Sequence, residues 1–259
     1  MASWGRDRIL AMGSLIAVIA LCWLYLARMT VPLDVGGIIC TATPGMAGAP
    51  LEQFTAAFLI WSVMMVAMML PTAVQAIDVF GSFARKRVSV IGSAPATSLF
   101  VLGYVAVWTA YSVFAAAGQV ALSRASLLAP TLQSTSAVLS VALLLLAGAF
   151  QFTSLKDACL AQCRSPFPFF LAKWRDGDWA AFVLGMQHGS YCVGCCWALM
   201  GLMFVFGAMN LVWMGALSLF MLGEKIAPVS WHVNRGAGVV LILWGVFLAG
   251  WLLLKAHSL

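Results

Sequence analysis

The 24 residues from Phe54 to Ile77, FTAAFLIWSVMMVAMMLPTAVQAI, contain no charged side chain. A run this long and apolar is typical of an α-helix that crosses a lipid bilayer, which needs roughly 20 such residues. The rest of the chain has a similar composition, since 63% of its 259 residues are hydrophobic and 8% are charged. Soluble proteins have about a quarter of their residues charged. The composition therefore predicts an all-α, polytopic transmembrane helix bundle, with residues 1–259 in a single transmembrane domain.

Seven apolar runs are long enough to be spanning helices. They cover residues 9–28, 54–77, 97–122, 135–153, 179–206, 210–228 and 236–256. The fifth and sixth runs are separated only by residues 207–210, so one long stretch with a re-entrant break is the alternative interpretation. Arg6 and Arg8 precede the first run, and no small-residue cleavage pattern follows it. This first run is therefore predicted to be a retained anchor rather than a signal peptide.

Basic residues predict the orientation of the spans. With seven spans and a cytoplasmic N-terminus, eleven basic residues lie inside and three lie outside. The inner residues are Arg6, Arg8, Arg85, Lys86, Arg87, Lys156, Arg164, Lys173, Arg175, Lys225 and Arg235, and the outer ones are Arg28, Arg124 and Lys255. This bias agrees with the positive-inside rule, whereas six spans would place some of the positive charges on the wrong side. The topology also accounts for the net charge of +6, so a nucleic-acid partner is not predicted.

The fifth run contains the motif HGSYCVGCC at residues 188–196. At about 100° per residue, His188, Cys192 and Cys195 fall within an arc of roughly 60°, with Cys196 at its edge. Thiolates and imidazole favour Cu(I) or Zn(II) over hard cations. Any one of the four, taken alone, is better explained as a core residue. Together, on one stripe of a spanning helix, they predict a soft-metal site.

Two further groups carry soft ligands. Cys159 and Cys163 are spaced i and i+4, so on a helical turn both thiols face the same way and can receive a metal ion on the cytoplasmic side. In the second run, Met64, Met65, Met68 and Met69 place four thioethers on one broad helix face. Thioether sulfur favours Cu(I). The alternatives are two incidental cysteines and, for the methionines, ordinary core packing.

Two features near the predicted inner surface complete the candidate set. Glu224 adjoins Lys225 and is predicted to be a metal ligand or proton carrier, with a snorkelling interfacial pair as the alternative. The stretch from Pro166 to Phe170 is broken by proline and is too short to span. It is therefore predicted to lie along the headgroup layer.

Over roughly residues 54–250 the chain resembles a bacterial family of predicted metal-binding integral membrane proteins, a domain of unknown function. The resemblance is carried by Trp61, Met64, Met65, Ala67, Met68, Met69, Pro71, Gln151, Lys156, Cys159, Cys163, Arg164, Gly185, His188, Gly189, Cys192, Gly194, Cys195, Cys196, Trp197, Asn210, Glu224 and Lys225. Ser154 stands where a proline is expected, which removes no ligand. The resemblance implies metal binding in a bacterial inner membrane and implies no particular reaction.

Three functions remain open at this stage, and binding is favoured over enzymatic activity in general. The first is soft-metal transport, delivery or homeostasis, with copper favoured over zinc and with a soluble metal donor or acceptor protein, or a homo- or hetero-oligomer, as partner. The second is a membrane thiol–disulfide oxidoreductase that uses Cys192 and Cys195. The third is a haem-binding or assembly subunit. Haem is disfavoured because the chain has only three histidines.

Overall fold

The computed structural model describes residues 2–30, 50–86, 93–129, 132–228 and 231–257, so Arg87 lies outside the described residues. Within these ranges the chain forms ten α-helices and one isolated β-bridge between Leu128 and Ser134. The helices are α1 (Ala2–Thr30), α2 (Pro50–Lys86), α3 (Ser93–Arg124), α4 (Ala137–Phe150), α5 (Ser154–Arg164), α6 (Pro166–Lys173), α7 (Asp178–Gly201), α8 (Met203–Phe206), α9 (Leu211–Ile226) and α10 (Val233–His257). The prediction of an all-α fold is confirmed.

Among the residues that the structure describes, five segments are long and apolar enough to cross a membrane. They are Met12–Met29, Pro50–Arg85, Ser93–Arg124, Asp178–Phe206 and Val233–Lys255. Helices α4 and α5 qualify together as a sixth, but they are bent by 66° at the break between them. The 16 residues of α9 extend about 24 Å, which is shorter than a typical hydrocarbon core. Several helices are thus compatible with a multi-pass membrane protein, while seven spans and their orientation stay predictions.

The predicted run at 135–153 is shorter in the structure because a new helix begins at its end. Helix α4 has 14 residues and ends at Phe150. The Thr153 side chain accepts a hydrogen bond from the backbone N–H of Lys156 at 3.2 Å and so caps the start of α5. A side-chain cap of this kind satisfies an unpaired N–H at a helix start. The break therefore turns α5, with its two cysteines, back against the bundle.

Helices α3 and α7 form the closest pair in the bundle. A Cβ atom at Gly103 of α3 would overlap the carbonyl oxygen of Phe182, and one at Gly185 of α7 would overlap that of Phe100. Only glycine permits two backbones to approach this closely, which is a common way for membrane helices to associate. The two glycines fix how α7 is rotated against α3 and hence which of its faces meets the other helices.

Pro71 lies within α2, where three neighbouring helices attach. Proline has no N–H, so the carbonyl four residues earlier loses its helical donor. That carbonyl, of Ala67, instead accepts a hydrogen bond from Trp23 Nε1 of α1 at 3.1 Å. The carbonyl of Met68 accepts one from Ser218 of α9 at 3.0 Å. The carbonyl of Met69 accepts one from Tyr104 of α3 at 3.0 Å. Consecutive carbonyls of α2 thus hold α1, α9 and α3 at the level of the methionine face.

Candidate metal centre

Four cysteine side chains meet where α5 packs on α7. The Sγ atom of Cys163 lies 4.0 Å from Sγ of Cys195, and the latter lies 3.2 Å from Sγ of Cys196. Cys192 lies one turn before Cys196, and its backbone carbonyl accepts a hydrogen bond from Sγ of Cys195 at 3.2 Å. All four are free thiols, and none is more than 5% exposed. We call Cys163, Cys192, Cys195 and Cys196 the thiol cluster.

The second cysteine of α5 lies beside the cluster. Cys159 is 8% exposed, and a Cβ atom at Gly194 of α7 would lie 2.7 Å from its Sγ atom. The glycine therefore provides the room that this thiol occupies. Cys159 and Cys163 both face α7, in agreement with their i and i+4 spacing. They belong to a packed helix rather than to a loop.

A lysine from α9 extends into the cluster. Lys225 Nζ donates a hydrogen bond to Sγ of Cys192 at 3.1 Å and another to Oγ1 of Thr72 at 2.7 Å. The hydroxyl of Tyr104 lies 3.1 Å from the same sulfur. Lys225 is only 4% exposed, so its ammonium depends on these buried partners. The cluster therefore combines four thiols with one fixed positive charge.

Glu224 forms hydrogen bonds with different partners from those of Lys225. Its Oε2 atom forms an ion pair with Nζ of Lys156 at 2.8 Å, and both side chains are at most 1% exposed. Arg164 Nε donates to the backbone carbonyl of Glu224 at 2.7 Å. Two side chains of α5 thus hold one residue of α9. The alternative of an interfacial Glu224–Lys225 pair is wrong, because all the charged groups involved except Arg164 are buried. Lys156 and Lys225, taken above as inner-loop charges, lie in the packed interior.

His188 is surrounded by aromatic rings rather than by thiols. Its ring centroid lies 5.7–6.4 Å from those of Phe100, Tyr104, Phe169 and Phe170. Its Nδ1 atom is buried and has no hydrogen-bond partner. The imidazole is on the same helix as the cysteines, but in different surroundings.

The aromatic stretch before α7 packs partly into the helix bundle. Phe169 is 3% exposed and Phe170 is fully buried, whereas Phe167 is 57% exposed. Helix α6 packs its aromatic side chains against Phe80 and Phe100 of the bundle. Neighbouring helices thus supply an apolar surface for Phe169 and Phe170, and the headgroup-layer position of the stretch stays a prediction.

The four methionines of α2 form part of the core. Met64, Met65, Met68 and Met69 are each at most 1% exposed. The carbonyl of Met69 accepts a hydrogen bond from Thr72 at 2.8 Å as well as from Tyr104. Thr72 and Tyr104 also contact Lys225 and Cys192, respectively. Through these two residues the end of the methionine face connects to the lysine side of the thiol cluster.

Within the described ranges, no group of three or more His, Cys, Asp and Glu side chains is arranged to hold a metal ion. The separation of the Cys163 and Cys195 sulfurs is 4.0 Å. Two metal–sulfur bonds of about 2.3 Å place their sulfurs at most about 4.6 Å apart. The observed separation lies within this limit and is also an ordinary van der Waals contact between two thiols. Structural zinc takes four ligands, and soft Cu(I) is the ion better matched to a few thiolates.

Comparison with known families agrees with the chemistry of these ligands. A family model described as PpoB2, copper chaperone, matches residues 58–248. The chain belongs to this family. The matched range contains the whole thiol cluster together with Cys159, Lys225 and the methionine face, and it excludes α1. No curated protein and no solved structure matches the chain.

Sequence analysis missed the polar residues that surround the thiols. Thr72 and Tyr104 appeared only as members of apolar runs, and neither Lys156 nor Lys225 was proposed to contact a buried partner from another helix. The available signal was general: a polar or charged group within an apolar segment needs a buried partner. Which partner it finds depends on the packing of separate helices, and local patterns do not contain that information.

Proposed function

We propose that this protein binds Cu(I) at the thiol cluster and passes it to an acceptor protein. The observation that carries the proposal is the convergence of α5 and α7, which brings Sγ of Cys163 within 4.0 Å of Sγ of Cys195. The description of the family as a copper chaperone supports copper as the cargo. Soft thiolates in a buried site are suited to a soft, monovalent ion.

The arrangement of the sulfurs supports transfer by ligand exchange. Cys195 has one neighbouring thiol at 4.0 Å and another at 3.2 Å. An ion on Cys195 can therefore gain a new sulfur before it loses an old one. Cys159 lies on the same face of α5 and is proposed as the first thiol to receive copper from a donor protein.

The other candidate ligands have separate proposed roles. The thioethers of Met64, Met65, Met68 and Met69 are proposed as weaker copper ligands during transfer, and their burial beside the Tyr104–Thr72 contacts supports this. His188 is proposed as a further ligand on the strength of its unpartnered Nδ1 atom. Glu224 is proposed to position α5 through Lys156 rather than to bind metal.

The proposed location is a lipid bilayer, with seven spans and a cytoplasmic N-terminus in a bacterial inner membrane. Large apolar side chains of α10 support lipid contact, since Leu243, Phe247 and Leu254 are 62%, 73% and 74% exposed. An exposed apolar surface of this kind is stable against lipid tails or against another membrane protein. The copper donor and acceptor are proposed to be soluble proteins.

The test is the metal content of detergent-purified protein after loading with Cu(I) and Zn(II) under reducing conditions. Wild type and a Cys22→Ser control are expected to retain copper, because Cys22 lies in α1, outside the thiol cluster. A Cys163→Ser/Cys195→Ser variant is expected to lose it. Wild-type protein without copper, or equal copper in all three proteins, would contradict the proposal.

A thiol–disulfide oxidoreductase is the second candidate, and the contact of Cys195 with Cys196 favours it. Sulfurs this close are readily oxidised, although vicinal and cross-helix disulfides need adjustment to reach a bond of about 2.05 Å. Thiol trapping in cells distinguishes the two functions. Cysteines that cycle between reduced and oxidised states without bound metal would support redox chemistry.

A further inference from the structure

The ammonium of Lys225 is the charge placed closest to the thiol cluster. It donates a hydrogen bond to Sγ of Cys192 at 3.1 Å, and it also interacts electrostatically with Cys163 and Cys196. Its other close contact, Thr72, is neutral. A metal ion bound by these sulfurs must therefore share them with a positive charge that the protein supplies.

The other charged groups near the cluster do not cancel this charge. The carboxylate of Glu224 is paired with Lys156 at 2.8 Å, and both are buried. Arg164 is half-buried and directs its Nε atom to a backbone carbonyl. Glu224 also interacts electrostatically with Lys225, but the group in hydrogen-bond contact with the ammonium is the sulfur of Cys192.

Net charge is costly in a buried site, so it decides which ion the site accepts. Two thiolates neutralise the ammonium of Lys225 together with one monovalent ion. With a divalent ion, the same two thiolates leave one positive charge uncompensated. A third thiolate would restore neutrality, but it would be a further charge to bury in the same site, which costs additional free energy. Without the charge of Lys225, two thiolates neutralise a divalent ion, and with a monovalent ion they leave one negative charge uncompensated.

We propose that Lys225 is the residue that makes the thiol cluster select a monovalent over a divalent soft ion. The inference rests on the proposed function, since it concerns the same sulfurs, and it adds a residue that does not itself bind metal. Ligand softness alone does not separate the two classes, because thiolates bind both Cu(I) and Zn(II). The fixed charge of Lys225 supplies the difference.

The experiment compares Cu(I) and Zn(II) affinities of detergent-purified wild type with those of Lys225→Met, Lys225→Arg and Lys255→Met. Lys225→Met removes the charge and keeps a similar side-chain length, whereas Lys225→Arg keeps the charge. Lys255→Met removes one positive charge from α10, away from the cluster. The ratio of Cu(I) to Zn(II) affinity is expected to fall at least tenfold in Lys225→Met and to stay within about threefold of wild type in the other two.

A reference that needs no variant covers the case in which Lys225→Met does not fold. Wild-type protein and dithiothreitol, a dithiol without a neighbouring ammonium, are titrated with the same two ions in the same buffer. The copper preference of the protein is expected to exceed that of dithiothreitol at least tenfold. Equal preferences would overturn the inference.

The outcomes separate this inference from the proposed function. Copper bound by wild type, with an unchanged affinity ratio in folded Lys225→Met, overturns the role of Lys225 and leaves copper binding intact. Wild-type protein that binds no copper overturns both. A ratio that falls equally in Lys225→Met and Lys255→Met also overturns the inference, because overall charge would then explain the effect.

Discussion

The two halves of the HGSYCVGCC motif lie on one helix but in different environments. His188 is enclosed by four aromatic rings contributed by α3 and α6. One turn later, Cys192 contacts a lysine, a tyrosine hydroxyl and the thiol of Cys195. The comparison shows that residues sharing a helix face need not share a site. The helices packed against each turn decide the chemistry available there.

The largest difference between the two halves is expected in copper affinity. Cys195→Ser removes the sulfur that has two close thiol neighbours. It is expected to weaken Cu(I) binding by more than the roughly 10- to 100-fold that loss of a supporting residue costs. Competition with a coloured Cu(I) chelator measures this. A Cys22→Ser variant provides the control, and an affinity for Cys195→Ser equal to that of the control would remove Cys195 from the site.

The next largest effect is expected at the pair that holds the cysteine-bearing helix. Glu224→Gln leaves the ammonium of Lys156 buried without its partner, which is expected to destabilise the protein by about 3–5 kcal/mol. Thermal unfolding in detergent measures the loss. The double variant Glu224→Gln/Lys156→Met is expected to recover most of it. If both variants unfold at the wild-type temperature, the pair does not hold α5 in place.

The contact between α3 and α7 positions both halves of the HGSYCVGCC motif. Disturbing it is expected to have a smaller effect on stability, and one that both halves share. Gly185→Ala places a methyl group against the carbonyl oxygen of Phe100, and such overpacking costs about 1–3 kcal/mol. Gly118→Ala, on α3, is the matched control because its Cβ atom would meet nothing within 4 Å. The same thermal unfolding measurement compares the two. Equal unfolding temperatures would mean that α3 and α7 are not in close contact.

The smallest effect is expected on the aromatic side. His188→Phe keeps a ring among the four aromatic neighbours and removes only the imidazole nitrogens. Copper affinity is expected to change less than about threefold, because a ligand such as His188 that acts during transfer contributes little to binding in the resting site. Chelator competition measures this as well. A loss as large as that of Cys195→Ser would unite the two halves into one metal site and would contradict the comparison.

The fold was largely predictable because apolar runs such as residues 54–77 identify helices directly. Helical periodicity also predicts that Cys192, Cys195 and Cys196 lie on one side of their helix, and their role as metal ligands stays a prediction. The run at 135–153 was predicted too long, because hydropathy does not register the helix break that Thr153 stabilises with its side chain. Periodicity gives the direction of a side chain from its own helix axis, and it does not identify what lies opposite.

The candidate site was predictable only in part for the same reason. Cys163 and Cys195 are 32 residues apart, and their contact depends on the bend between α4 and α5. Lys225 and Thr72 are 153 residues apart. Both contacts are set by tertiary packing, so the sequence indicated the types of ligand without indicating the charge placed among them.

The hydrogen bond from Trp23 to the carbonyl four residues before Pro71 joins α1 to the part of the chain that matches the family. Helix α1 lies outside the range that matches the family, residues 58–248, yet it attaches to α2 within that range. The attachment point exists because proline leaves one backbone acceptor without its usual donor. Replacing Pro71 with alanine would return that acceptor to the helix. The docking of α1 can therefore be weakened by a change in α2 alone, with the sequence of α1 untouched.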